Sequence, residues 1–143
     1  MSLVVKIGGA SAVEPAGALA DIASIATETE IVVVHGGSTA VDETLDAMGI
    51  APEYVETPGG VVGRFTDAET MEAFTMAMAG RVNTNLVAGL RDAGADAVGL
   101  SGVDGGLLTG PRKSAVRVSD GEKQRIRRGD HAGRIESVRT ALL

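Results

Sequence analysis

Leu3-Val4-Val5-Lys6-Ile7-Gly8-Gly9 and Ile31-Val32-Val33-Val34-His35-Gly36-Gly37-Ser38 are two short apolar runs that each end in a glycine doublet. Runs of this length read as strands buried in an α/β sheet. Between them, Pro15 suits the first turn of a helix, and Leu19, Ile22, Ala23 and Ala26 recur at helical spacing. Strand, helix, strand is a crossover unit that sets the two strands parallel. The glycines then fall at strand ends, where a backbone that turns sharply can offer N–H groups to an anion, and Lys6 supplies a nearby positive charge. A phosphate site is the expected use. A lysine inside an apolar strand is costly unless its ammonium reaches a polar site or an anion; the plain alternative is an edge strand with Lys6 facing water.

Beyond these strands, Val41, Leu45 and Met48 mark a second helix that Gly49 is placed to stop. Residues 50–63, with Pro52, Pro58 and several glycines, form a loop region with room for a short hairpin. Thr66-Asp67-Ala68-Glu69 has the form of a capping box with Thr66 as the cap. It predicts a long helix over 67–93 with Met71, Phe74, Met78, Val82, Leu86 and Leu90 on its apolar face, closing near Gly94. Ala97–Leu100 reads as a third buried strand, running into the turn-rich Ser101–Gly106. Ala115–Val118 and Gln124–Arg128 flank Ser119-Asp120-Gly121-Glu122 as an antiparallel hairpin, and a short helix is expected over Ile135–Leu143. The fold class is therefore α/β: a doubly wound, mainly parallel sheet with flanking helices, plus an antiparallel β-hairpin.

At 143 residues, 44% apolar and 22% charged, the chain suits one globular domain. It has no cysteine and two distant histidines, His35 and His131, which excludes thiolate chemistry and argues against a histidine metal cluster. No apolar run is long enough to cross a bilayer and the N-terminus lacks the basic flank of a signal peptide, so a cytoplasmic location is expected. Charge is unevenly placed: residues 1–110 carry four basic against fifteen acidic residues, and 111–143 carry nine against four. The basic end could meet an acidic partner or be a solvated hairpin face; no aromatic is interleaved with its arginines as a single-strand nucleic-acid platform would need. Only three of the thirteen basic residues are lysine, a balance that fits a high-salt organism.

Neither glycine doublet matches a P-loop or a GxGxxG fingerprint. Taken together with Gly63-Arg64-Phe65-Thr66-Asp67, Arg81-Val82-Asn83 and Gly99-Leu100-Ser101-Gly102-Val103-Asp104-Gly105, however, they resemble, in order and spacing, the amino acid kinase family. The likeness is to the acetylglutamate kinase branch, and Ser38, residues 100–105, Arg112-Lys113 and Arg128-Gly129-Asp130 favour the group acting on aminoadipate or glutamate carried by the protein LysW. The resemblance implies an ATP-dependent transfer, with Mg2+, of phosphate to a side-chain carboxylate in lysine and arginine biosynthesis. By position, Lys6 matches the family's catalytic lysine, Gly8 and Gly9 its phosphate loop, Gly36, Gly37 and Ser38 its substrate loop, and Arg64 the arginine that grips a substrate carboxylate. No protein-held metal site is expected. His35 is expected as scaffold for the glycine loop and Asp104 as a turn residue, while Asn83 is left between a substrate contact and a helix support.

Kinases of this type continue into a nucleotide-binding half with a Val-Asn-Ala-Asp type segment and a second lysine, and this sequence has neither. The expectation is that residues 1–143 are the amino-acid-binding half, inactive alone. The resemblance further implies the acidic LysW carrier as partner, docking on the basic hairpin at 112–128, and a homodimer through the helix at 67–93. Reversing Arg125, Arg127 and Arg128 to glutamate is expected to abolish carrier binding and leave the fold intact. Two alternatives stay open: an acetylglutamate kinase acting on free substrate, and a non-catalytic ligand-binding module.

Overall fold

The two glycine-terminated runs lie side by side in parallel: β1 (Ser2–Ile7) pairs with β2 (Glu30–His35), Lys6 opposite Val34 and Ile7 opposite His35. They belong to a computed structural model that describes residues 2–9, 15–121 and 123–143. Between them runs α1 (Pro15–Ile25), with proline at its first position as its fixed φ favours. Leu19 and Ile22 on α1 meet Leu90, and Val5, Ile7, Ile31 and Val33 pack against that cluster from one face of the strand pair. Alternation puts Val4 and Lys6 on the other face, where Val4 is 67% and Val34 48% exposed. Among the described residues this sheet has two strands and one covered face, short of the burial on both faces that the apolar runs predict.

α2 (Ser38–Ala47) buries Val41 and Leu45 against Ala73 and Ala77 in a second cluster. It ends as Gly49 predicts: that residue adopts φ +72°, its N–H donates to the Asp46 carbonyl at 2.9 Å, and Ile50 N–H donates to the Leu45 carbonyl at 2.9 Å. This is the left-handed glycine stop with its paired 6→1 and 5→2 bonds. The short hairpin also forms, β3 (Tyr54–Glu56) antiparallel to β4 (Val62–Arg64) with Tyr54 opposite Arg64.

The long helix runs unbroken from 68 to 92 as α3 (Ala68–Thr75), a π-helical segment (Met76–Val82) and α4 (Asn83–Asp92). Its cap sits one residue later than expected: Asp67, not Thr66, is the N-cap, and its Oδ1 accepts from Thr70 N at 2.9 Å. That bond holds the Asp67 carboxyl below the usual range for aspartate. Most of the predicted apolar face points inward: Met78 packs on the α2 core, Val82 approaches Gly37, and Leu86 packs beside the buried Leu90, while Phe74, which precedes the π segment, is exposed. Thr70, Ala73, Ala77 and Leu90 are its buried positions among the described residues, while Phe74 and Met76 are exposed.

Ala97–Leu100 is not a strand. Ala95 and Ala97 rest on the core of α1 and α4, but the segment has no ladder partner among the described residues and Val98 is 83% exposed. The basic hairpin forms as expected, β6 (Ala115–Asp120) antiparallel to β7 (Lys123–Arg128), with Gly121 at φ +60° in the turn; Glu122 lies outside the described residues. The expected C-terminal helix is replaced by β5 (Leu108–Thr109) pairing with β8 (Ser137–Val138), followed by a 3-10 turn at Thr140–Leu142. The fold is α/β with mixed helices and strands, in which one of the four two-stranded sheets among the described residues is parallel.

Candidate functional site

The two glycine loops meet backbone to backbone at the carboxyl ends of β1 and β2. A Cβ on Gly9 would stand 2.7 Å from the Gly36 carbonyl carbon and 3.0 Å from Ser38 N, and one on Gly36 would stand 3.0 Å from Gly9 N. Neither position accepts a side chain without moving backbone. Gly37 is closed for another reason, since its Cβ would meet the Met78 sulfur at 2.5 Å and the Val82 side chain at 3.2 Å. Gly8 differs from all three: no described atom lies within 4 Å of where its Cβ would be, so packing does not demand glycine there.

Gly36 N–H donates to the Ile7 carbonyl at 3.0 Å, extending the β1–β2 ladder by one bond into the loop. The Gly9 carbonyl then faces the start of α2, accepting from Thr39 N–H and from the Ser38 hydroxyl, each at 3.5 Å. These contacts set the N-terminus of α2, with its partial positive charge, against the Gly8-Gly9 loop. His35 Nδ1 lies 3.3 Å from the Gly36 carbonyl, a contact that supports the loop and matches the scaffold role expected of it. Lys6 stands three residues from Gly9 on the open face of β1, exposed, with no hydrogen bond or ion pair among the described residues. Its environment is the edge-strand alternative rather than a buried lysine, and its ammonium is free to meet a ligand.

Arg64 is set more tightly. Its Nη2 donates to Asp42 Oδ1 at 2.5 Å and to the Tyr54 hydroxyl at 3.1 Å, and its guanidinium carbon lies 5.3 Å from the centroid of the Tyr54 ring. The side chain is 15% exposed, and its Nη1 is buried with no hydrogen-bond partner among the described residues. Leaving a buried donor unmade costs about 1–3 kcal/mol, and more on a charged group, so this nitrogen is a point where an anionic ligand gains. Asp42 and Ser38 are four residues apart on α2, hence on one face and about 6 Å apart along its axis. The helix thus links the arginine to the glycine loops. Sequence reasoning did not single out Asp42 and Tyr54; Asp42 was findable as the residue one turn beyond Ser38, whereas Tyr54 required the β3–β4 register. An open groove of about 610 Å³ is lined by Asp42, Asp46, Gly49, Ile50, Ala51, Pro52 and Tyr54, and includes neither the glycine doublets nor Lys6.

Two further expected residues have structural duties. Asp104 Oδ2 accepts from Ser101 N–H at 2.5 Å and from its hydroxyl at 2.9 Å, which closes the turn and lowers the Asp104 carboxyl below its ordinary value. Asn83 packs on Gly99, whose Cβ would come within 2.5 Å of the amide nitrogen, so this asparagine holds the 95–100 segment against the helix.

The basic hairpin is attached near Arg64. Arg127 makes a two-pronged bond to Glu53, at 2.5 and 3.0 Å, and lies over the buried Phe65 ring at 4.4 Å. The Arg127 hydrogen bond lowers the Glu53 carboxyl, and the same bond raises Arg127. Arg127 thus ties the hairpin to Glu53 and Phe65, contacts that its reversal to glutamate would break. On the opposite face of the hairpin, Arg117 stands across from Ile126, with Arg128 two residues along, all three exposed.

Similarity to known proteins covers the whole chain. It is 42% identical over 142 residues to the [LysW]-aminoadipate kinase of Thermus thermophilus, a match spanning 99% of this chain and 53% of that protein. The [LysW]-aminoadipate kinase of Deinococcus radiodurans is 39% identical over 132 residues, covering 92% of this chain and 45% of that one. The [LysW]-aminoadipate/[LysW]-glutamate kinase of Saccharolobus islandicus is 36% identical over 143 residues, 99% of this chain and 53% of its own length. The chain spans about half the length of the curated relatives it matches. The amino acid kinase family matches residues 1–143 from end to end. With apposed glycine loops at the ends of parallel strands and a family match over its full length, the chain belongs to the amino acid kinase family.

Proposed function

We propose that this chain is the amino-acid-binding half of a kinase that uses ATP to phosphorylate the side-chain carboxylate of glutamate or aminoadipate carried by LysW. The observation that carries the reading is Arg64, a nearly buried guanidinium with one arm unpaired, tied through α2 to two apposed glycine loops. The names of the relatives supply the carrier and the reaction.

A carboxylate is ionised at neutral pH and needs no base, so what the chain must do is align it and balance charge. Arg64 holds one carboxylate through Nη1. Gly36, Gly37 and Ser38 shape the loop for the acceptor, and Gly8, with its open side, lets a phosphoryl group approach the backbone. Lys6 offsets the charge that develops as an acceptor oxygen bonds to phosphorus and the bond to the leaving nucleotide breaks. ATP supplies the transferred group; the donors here that suit it are Lys6, the Gly8-Gly9 backbone and the N-terminus of α2. Among the described residues no three His, Cys, Asp or Glu side chains are grouped as a metal site would be.

The open face and unpaired edges of β1–β2 fit a doubly wound parallel sheet completed by the rest of a longer protein, with residues 1–143 as its N-terminal domain. No helix among the described residues is long and apolar enough to cross a membrane, and a cytoplasmic enzyme is proposed. The outward Phe74 and Met76 on the long helix suit a dimer face. The carrier docks on the outer face of the hairpin, through Arg117, Ile126 and Arg128.

The test is hydroxylamine trapping of acyl phosphate by the product of the full reading frame, given carrier-linked aminoadipate, carrier-linked glutamate and free N-acetylglutamate. Turnover of a carrier-linked substrate that falls at least about a hundredfold in Lys6→Ala supports the proposal. Turnover of free N-acetylglutamate alone establishes the acetylglutamate kinase alternative, and ligand binding without any turnover the non-catalytic one.

A further inference from the structure

We propose that Asp42 and Tyr54 are positioning residues that hold Arg64 so that only its Nη1 arm is offered to a ligand carboxylate; this rests on the reading of Arg64 as the carboxylate-gripping arginine. A guanidinium carries two N–H groups on each Nη. Both on Nη2 have an acceptor, Asp42 Oδ1 at 2.5 Å and the Tyr54 hydroxyl at 3.1 Å, and the Tyr54 ring flanks the same guanidinium with its centroid 5.3 Å from Cζ. Nη1 is buried and has none among the described residues.

The two holders come from different elements and are themselves fixed. Asp42 follows Val41, which is anchored with Leu45 in the core of α2, and Tyr54 sits directly across the β3–β4 pair from Arg64. A long flexible side chain is thereby restricted before any ligand arrives, which removes part of the ordering cost of binding. The arrangement also sets the mode of recognition. Arginine usually clamps a carboxylate with two parallel N–H bonds. With Nη2 committed, the pair formed by Nη1 and Nη2 is not available, and one ligand oxygen meets Nη1 while the other is left for a different partner. If Asp42 were instead a stand-in that the ligand displaces, its removal would strengthen binding, so the two roles differ in sign.

The experiment titrates the product of the full reading frame with carrier-linked aminoadipate and carrier-linked glutamate, comparing wild type with Asp42→Asn, Tyr54→Phe and Arg64→Ala. Melting temperature serves as the fold control, and the Arg64 side-chain nitrogen NMR signals report its mobility. Positioning predicts that Asp42→Asn weakens binding about tenfold and Tyr54→Phe about threefold at unchanged melting temperature. It also predicts that separate, slowly exchanging Nη signals of Arg64 in the wild type average together in both variants before ligand is added. Tighter binding by Asp42→Asn overturns the proposal, as do wild-type affinity and wild-type Arg64 signals in Asp42→Asn and Tyr54→Phe. Should Asp42→Asn fail to fold, Tyr54→Phe decides alone, because it removes one oxygen and keeps the ring. A wild type that does not bind, or an Arg64→Ala chain that binds as well as wild type, overturns the Arg64 reading and this proposal with it. Loss of binding in Arg64→Ala with no effect of the other two overturns positioning alone.

Discussion

Gly8 and Gly9 are adjacent and have opposite reasons to be glycine. Gly9 faces the Gly36–Ser38 backbone so closely that Gly9→Ala must push two loops apart, and a destabilisation of about 1–3 kcal/mol is expected in a denaturant titration. Gly8→Ala meets no described atom, so the same titration is expected to leave stability nearly unchanged while phosphate-ligand affinity falls. Equal loss of stability in both variants would refute the division. At the same scale, Arg127 couples the hairpin to β3 through Glu53. Because the Arg127 hydrogen bond depresses the Glu53 carboxyl, the pair contributes above the usual carboxylate range and is lost as pH falls through the depressed value. Glu53→Gln is expected to speed amide exchange in β6 and β7 at neutral pH, with the difference from wild type closing in acid.

The long helix is controlled at its ends and in its middle by separate devices. At its start, Asp67→Ala removes the bond to Thr70 N–H and is expected to cost about 0.5–2 kcal/mol, read as a lower melting temperature at pH 7. That bond lowers the folded-state value of the Asp67 carboxyl, so its stabilisation is complete above the ordinary aspartate value and fades as pH drops through the lowered one. The wild-type and Asp67→Ala melting curves should converge in acid; a gap independent of pH would show that the cap acts otherwise. In its middle, Met78 and Val82 of the π-helical segment reach Gly37, while the α4 half places Leu90 on α1. One helix thereby serves two clusters. α2 ends in a comparable way on Gly49, where Gly49→Ala puts a Cβ at φ +72° and is expected to cost about 1 kcal/mol.

Across the whole molecule, both faces of β1–β2 present valine, but among the described residues only the face of Val5, Ile7, Ile31 and Val33 is covered. Parallel strands are ordinarily buried on both sides, and Val4 and Val34 on the open side form apolar surface with Lys6 between the strands' free ends. Val4→Thr with Val34→Thr keeps the β-branched shape, so the double variant is expected to bind less of a hydrophobic dye while melting within a few degrees of wild type. A large fall in melting temperature would mean that this face is packed.

Local patterns were enough to read much of this architecture. The paired glycine strands, α1 with its proline, the Gly49 stop, the long helix and the basic hairpin all follow from spacing and turn chemistry that act within a few residues. Membership of the amino acid kinase family was likewise legible, because it rests on residue types in order. What the chain pattern could not convey were decisions made across it. Ala97–Leu100 has a strand's composition but no ladder partner among the described residues, and Ser137–Val138 pair with β5 where a helix was expected. Arg64 was nameable from the sequence, yet its burial, its two holders and its single open arm exist only because α2 and β3 converge on it. Propensity is a property of neighbours in the chain, whereas burial and hydrogen-bond partnership are properties of neighbours in space, and only folding brings Asp42, Tyr54 and Arg64 together.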